Sequence, residues 1–314
     1  MSLLIGMDEA GYGPNLGPLV ITATAWEVPG DPHDCDVWNL LDEVVSQRPS
    51  TDGQRLHVAD SKQVFSPSKG VKALETSVLC LLRLAGIEAD SFSSLWQQLA
   101  VQYPDDQEQE PWFSQDTSLP VVADSDDIDR LTERLTACVE RAGIGRPRIR
   151  SDVVLTDRFN RLTNDHDSKG VTLSKLSLAL LRTLWEPVAS GRVFIVADKH
   201  GGRNRYDGLL ADILDGQMIF RLEEGRERSS YRVGDTEIRF QTRAEAHFPV
   251  AVASLVSKYL RELAMLSFNR FWQVHLPHIR PTQGYPVDAK RFKAEIADIQ
   301  STLQIPDAML WRER

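Results

Sequence analysis

The sequence predicts an α/β protein whose strands end in acidic residues. Two observations carry this. Apolar, partly β-branched runs that read as buried strands are each followed by carboxylates: Leu3 to Met7 before Asp8-Glu9, and Val193 to Ala197 before Asp198. Between them lie segments with helical apolar spacing, such as Ser174 to Val188, where Leu176, Leu180 and Leu184 recur four apart beside Trp185.

The chain has 314 residues, enough for one large domain or two small ones. No apolar run approaches the ~20 residues of a membrane span. No basic segment precedes an apolar core at the N-terminus, so no signal peptide is expected. Cys35, Cys80 and Cys138 are sparse, odd in number and in no metal or redox pattern, which predicts a reducing, cytoplasmic setting. The net charge of −9 argues against a protein that coats nucleic acid nonspecifically. A local basic groove stays compatible with it. Acidic residues crowd the stretch from Asp105 to Asp129, which has no Lys or Arg, and Arg146, Arg148 and Arg150 follow.

The elements follow in order. Leu19 to Ala25 is a second buried strand. Cys35 to Val45 has helical spacing. Asp60-Ser61-Lys62 lies in a loop or at a strand end. Ser66-Pro67 then opens a helix to about Leu84 that stops near Gly86. Ser91 to Asp129 reads as a short helix around Leu95 to Gln102 and an acidic, Pro-containing mobile loop. Asp129 to Ala142 is a helix stopped by Gly143, and Arg148 to Thr156 is a strand. Gln217 to Gln241 reads as strands, with Gly234-Asp235 as a hairpin turn.

Chemistry concentrates at Asp8-Glu9-Ala10-Gly11-Tyr12-Gly13-Pro14-Asn15-Leu16-Gly17-Pro18. A strand, two carboxylates and a Gly-rich turn can aim hard oxygen ligands at Mg²⁺ or Mn²⁺. Neighbouring strand residues point to opposite faces. Asp8 and Glu9 therefore share a site only where the strand ends or twists. The bland alternative is an acidic turn between two strands.

The whole string Asp-Glu-Ala-Gly-x-Gly-x-x-x-Gly-Pro resembles the N-terminal signature of ribonucleases HII and HIII. These are metal-dependent enzymes of ribonuclease H-like fold that cut RNA in RNA/DNA duplexes. Further blocks follow in family order. Asp60-Ser61-Lys62 before a helix resembles the second block. The apolar strand ending in Asp198 resembles the one that carries a catalytic Asp, although Lys199 follows where the family usually has Gly. Asp157 also ends an apolar strand and is the rival to Asp198. Glu245, ahead of Ala253 to Glu262, stands where the fourth carboxylate is expected, as Glu instead of Asp. Gln283-Gly284-Tyr285-Pro286 resembles the Lys-Gly-Tyr-Pro block, whose Tyr lies near the sugar of the recognised ribonucleotide.

The resemblance implies one ribonuclease H-like domain over 1–314, with a mixed central sheet flanked by helices. It implies insertions near 91–147 and 203–241, the second over the active-site face, and a helical C-terminal part at 247–314. The acidic motif starts at residue 8, which predicts no counterpart of the N-terminal domain of ribonuclease HIII. The resemblance further implies two Mg²⁺ or Mn²⁺ ions held by Asp8, Glu9, Asp198 and Glu245, which predicts raised and coupled carboxylate pKa values without metal. Substrate would meet Gly11, Tyr12, Gly13, Ser61, Lys62, Lys199, Arg203 and Tyr285. Lys199 to Tyr206, basic and Gly-rich, is a candidate phosphate clamp or a solvated turn. The main departure is Tyr12, where ribonuclease HII has Arg between two glycines. Three functions follow: cleavage of RNA/DNA hybrids, a related metal nuclease on structured DNA, or a non-catalytic nucleic-acid-binding protein of the same fold.

Overall fold

In a computed structural model, residues 2–50, 53–66, 68–104, 110–187, 191–214 and 216–313 are described. The Leu3 to Met7 run lies in strand β1 (Ser2–Ala10), paired antiparallel with β2 (Leu19–Val28) from Ser2↔Val28 to Ala10↔Val20. Both strands are apolar on both faces because the sheet is covered on both sides. Leu4, Val20 and Trp26 face one core, and Ile5, Met7 and Ile21 face the other.

The next segment forms one helical turn, α1 (Val37–Leu40), and not the longer helix that Cys35 to Val45 predicts. Val45 leaves that turn to enter β3 (Val45–Ser46), which pairs with β4 (Leu56–His57). Helix α2 (Ser61–Val64) is capped by Asp60, whose side chain accepts from the Lys62 amide. Helix α3 (Lys72–Leu84) begins later than Ser66-Pro67, and Pro67 lies outside the described residues. Helix α4 (Phe92–Leu99) starts three residues ahead of the expected short helix, because Ser91 caps it.

Residues 110–124, expected as a mobile loop, are packed. Trp112 is buried in a third core, and Glu75 of α3 accepts hydrogen bonds from the amides of Val121, Val122 and Ala123. Residues 105–109 lie outside the described set.

Helix α5 (Ser125–Arg141), strand β5 (Arg148–Val154), helices α6 (Thr156–His166) and α7 (Lys169–Arg182), and strand β6 (Val193–Asp198) follow. After α8 (Asp207–Leu214), strands β7 (Phe220–Glu224), β8 (Arg228–Val233) and β9 (Thr236–Gln241) form the expected hairpin region. They do not lie over the acidic end of the sheet, as expected, but lengthen it. Strand β9 pairs in parallel with β6, giving the order β5-β2-β1-β6-β9-β8-β7. Tyr231, Val233, Ile238 and Phe240 continue the apolar face that α7 and α8 cover.

Helix α9 (Phe248–His275) crosses the other face. It comes so close to β1 that a Cβ on Gly6 would stand 2.3 Å from the Pro249 carbonyl carbon. Helices α10 (Pro286–Thr302) and α11 (Asp307–Leu310) pack on its far half through Phe268, Trp272, Phe292 and Leu310. Among the described residues no helix is long and apolar enough to cross a membrane.

Candidate active site

Strands β1, β6 and β9 run parallel, so their C-terminal ends meet at one edge of the sheet. The register Met7↔Ala197 brings Asp8 beside Asp198. Asp198 pairs with Gln241, and the chain leaving β9 turns at once through a 3₁₀ turn, Ala244–Ala246, that carries Glu245. Asp8 and Asp198 alternate onto the face covered by α9, and Glu9 onto the opposite face. They still share one cleft because it lies beyond the strand ends and reaches both faces. Asp8, Glu9, Asp198 and Glu245 line it together with Gly11, Tyr12, Gly13, Ser61, Lys62 and Tyr285.

The glycine-rich loop after β1 is strapped from below. Gly11 has φ +88°, and a Cβ there would meet Arg261 Nε at 2.4 Å and the Pro18 carbonyl oxygen at 2.6 Å. Arg261 is buried and donates to the carbonyls of Leu16 and Gln283. Arg312, 1 % exposed, donates from Nη2 to the carbonyls of Gly11 and Pro14, each at 2.5 Å. The Gly284 carbonyl accepts from the amides of Asn15 and Leu16, which ties the loop to the turn holding Tyr285. Hydroxyl groups pack under Asp8. Ser257 Oγ lies 3.1 Å from the Asp8 carbonyl oxygen and 2.8 Å from Thr22 Oγ1, and Ser254 Oγ lies 3.1 Å from Ser61 Oγ.

Electrostatics follow from this crowding. Burial, with Glu9 beside it, raises Asp8 well above the usual carboxylate range, against a hydrogen bond from Ser254. Burial and then Asp198 push Glu9 up to about 7, opposed by Lys62. Burial and then Glu245 push Asp198 up to about 6. Lys62 shows the reverse: burial works against its charge, but Asp60, Glu245, Asp8 and Asp198 hold it above its ordinary value. Lys258 also lines the cleft, 2.5 Å from Glu262 and 4.5 Å from the centre of the Phe65 ring.

The architecture has counterparts among solved structures. No family model matches the chain, and no curated protein sequence does. The ribonuclease H2 of Pyrococcus horikoshii OT3 superposes with a TM-score of 0.51 at 14% identity, over 98% of this chain and 92% of that one. The chain has the ribonuclease HII fold. A ribonuclease HII from Archaeoglobus fulgidus, solved with PCNA, superposes over 99% of this chain and 94% of its own at 12% identity, with a TM-score of 0.44.

Within this ribonuclease HII fold, the motif residues from Asp8 to Gly13, with Ser61, Lys62, Asp198, Glu245 and Tyr285, come together as expected. Lys199 does not join them. Its buried ammonium lies within 3.1 Å of four acceptors, the carbonyls of Arg203 and Gly225, Asn204 Oδ1 and Ser229 Oγ, which its three N–H groups share, and this fastens the following turn to the β7–β8 hairpin. It is a structural lysine and not a phosphate contact. Arg203 lies outside the residues lining the cleft, but its charge is felt at Tyr12. Asp157, the rival to Asp198, opens α6, pairs with Arg161 at 2.8 Å and lines a different cavity with Glu110 and Arg158. Ser254, Lys258 and Arg261 belong to the matched block Ala253 to Glu262 but carried no role there. Arg312 had no signal at all in the sequence.

The carboxylate set suits a hard divalent cation by its chemistry. All four donors are oxygens, and burial first, then neighbouring carboxylates, raise Asp8, Glu9 and Asp198. Among the described residues no three His, Cys, Asp or Glu side chains are gathered tightly enough to hold an ion between them. The four donors share one cleft.

Proposed function

We propose that this chain is a divalent-metal-dependent endonuclease that hydrolyses the RNA strand of RNA/DNA hybrids, leaving 5′-phosphate and 3′-hydroxyl ends. One observation carries the reading: three adjacent parallel strands deliver Asp8, Glu9, Asp198 and Glu245 to a single cleft that also holds a Gly-rich loop and Lys62. Open sheets bind ligands beyond the carboxyl ends of their strands. The likeness to the Pyrococcus ribonuclease H2 supports it at the level of fold.

The four carboxylates would hold two Mg²⁺ or Mn²⁺ ions. When bound, these supply Lewis-acid stabilisation of phosphate charge and a more acidic water. The remaining work belongs to the chain. In the metal-free state the proton affinity of Glu9 and Asp198 is raised, to about 7 and about 6, and positive charge entering the cleft lowers it. Lys62, kept charged by the surrounding carboxylates, receives a phosphate oxygen. The backbone around Gly11 and Gly13, fixed by Arg261 and Arg312, offers polar groups to a 2′-hydroxyl. The half-buried Tyr12 ring and the exposed Tyr285 ring stack on sugar or base.

The same reading treats 1–314 as one ribonuclease H-like domain with insertions at 91–147 and 203–241. It also takes three free cysteines as fitting the cytoplasm. The test is cleavage by wild type and Asp8→Asn. Wild type should cut hybrid duplex with Mn²⁺ or Mg²⁺, and Asp8→Asn should lose at least 100-fold in rate at an unchanged melting temperature (about the scale of one lost charge-stabilising group). Cutting of branched DNA alone would favour the structured-DNA nuclease instead, the reading that Tyr12 motivates.

A further inference from the structure

Next to Tyr12, which lines the cleft, lies a lysine that no motif marks. Lys169 is the first residue of α7, and its Nζ stands 4.5 Å from the centre of the Tyr12 ring. A cation in the first turn of a helix opposes the helix dipole, so this lysine does not serve α7 itself. The Ser168 cap already serves the helix by accepting from the Val171 amide. The Lys169 ammonium lies over aromatic faces, Tyr12 and, at 6.0 Å, Phe159. Gly201 leaves room for the arrangement: a Cβ there would stand 3.2 Å from the Tyr12 hydroxyl. Tyr12 thus feels the charge of Glu9 in the cleft and lies beside the Lys169 ammonium.

We infer that Tyr12 and Lys169 form one recognition element for nucleic acid. The ring packs against the sugar or base of a nucleotide held beside the cleft, and the Lys169 ammonium takes a phosphate oxygen flanking that nucleotide. Ring and cation side by side match a nucleotide, which offers a π-face or sugar next to an anion. The inference rests on the proposed nuclease function and deepens it by assigning a substrate contact outside the carboxylate set.

The test is equilibrium binding of a fluorescent RNA/DNA hybrid without divalent metal, over a series of salt concentrations, read separately from cleavage. Lys169→Met removes the ammonium and keeps an unbranched side chain beside the ring. It should weaken binding roughly fivefold near 0.1 M salt and flatten the slope of log Kd against log salt by about 0.7–0.9, the value of one lost phosphate contact. Lys169→Arg should restore both, and in cleavage Lys169→Met should raise KM while leaving kcat within about twofold. A Lys169→Met protein with wild-type melting, wild-type affinity and an unchanged salt slope would overturn the inference. So would a loss of affinity that follows only a loss of folded protein. Wild type that binds the hybrid with this lysine dependence but cuts nothing would defeat the nuclease proposal and leave the contact standing. Wild type that neither binds nor cuts defeats both.

Discussion

Replacing Arg312 with Met should destabilise the protein by about 3–5 kcal/mol, the cost of leaving two carbonyls without their donor. Arg312 is a buried cation that organises the loop carrying the candidate active site. Its Nη2 serves two carbonyls, those of Gly11 and Pro14. Its backbone is paired with Asn15, amide to carbonyl at 2.8 Å and Asn15 Nδ2 to the Arg312 carbonyl at 3.1 Å. The guanidinium stands 5.1 Å from the centre of the Phe159 ring. Burial, with Arg261 adding to it, pulls its pKa down to about 9, and the buried carboxylate of Glu110 opposes the shift. Glu110 in turn accepts from the Thr156 amide at 2.9 Å and from Trp112 Nε1 at 2.7 Å. Arg312→Met leaves two carbonyls without their donor, about 1–3 kcal/mol each, and removes the cation whose charge weakly favours ionised Glu110. The Met side chain recovers part of this by filling the volume. Denaturant unfolding measures it as a lower midpoint at unchanged m. The double variant Arg312→Met with Glu110→Gln should lose clearly less than the sum of the two single changes, since both charges leave together. A single-variant loss below about 1 kcal/mol, or strict additivity, would refute the argument that this arginine straps the loop.

Three further outcomes follow. Glu75 accepts from three consecutive amides and from the Tyr259 hydroxyl at 2.6 Å. Glu75→Leu should therefore cost about 3–5 kcal/mol in unfolding experiments, and a loss under 1 kcal/mol would contradict the assigned role. Glu9 and Asp198 bind protons more tightly in the folded protein, at about 7 and about 6, than in the unfolded chain. Their contribution to stability is complete below about pH 4 and fades as pH rises through those values. In chelator, Glu9→Gln should therefore match wild type near pH 4 and unfold at a higher denaturant concentration near pH 8. Parallel curves across that range would remove the crowding argument. Adding Mn²⁺ should raise the wild-type midpoint at pH 8 more than that of Asp8→Asn, and equal gains would argue against Asp8 as a ligand.

Much of this arrangement was legible because it is local or periodic. The Leu3 to Met7 and Val193 to Ala197 runs could be read as strands, and each delivers its carboxylate where the run stops. What the sequence does not state is that β1 and β6 pair in parallel with Met7 opposite Ala197. That pairing puts Asp8 beside Asp198 and leaves Asp157 at another cavity. The tension between Asp8 and Glu9 resolves because the cleft lies past the sheet edge, a property of the assembled sheet and not of the strand. Buried charges were the hardest to foresee. Lys199, Glu75, Glu110 and Arg312 resemble solvated surface residues in sequence, and only distant partners explain their burial. Lys199 was misread as a phosphate contact because its acceptors lie on a hairpin that begins about twenty residues later. The one-turn α1 was overread as a longer helix because helical apolar spacing cannot reveal that Val45 is claimed by β4. Nothing in the sequence marks Lys169, at the head of a helix, because its contact is with a loop near the start of the chain.

The most direct test compares cleavage of four matched duplexes with Mg²⁺ or Mn²⁺ by wild type and Asp8→Asn: an RNA/DNA hybrid, DNA with one embedded ribonucleotide, all-DNA and branched DNA. The account predicts that wild type cuts the RNA strand of the hybrid to 5′-phosphate and 3′-hydroxyl ends, and that Asp8→Asn does not. Cutting confined to the all-DNA or branched substrates, or equal cutting by Asp8→Asn, would contradict it.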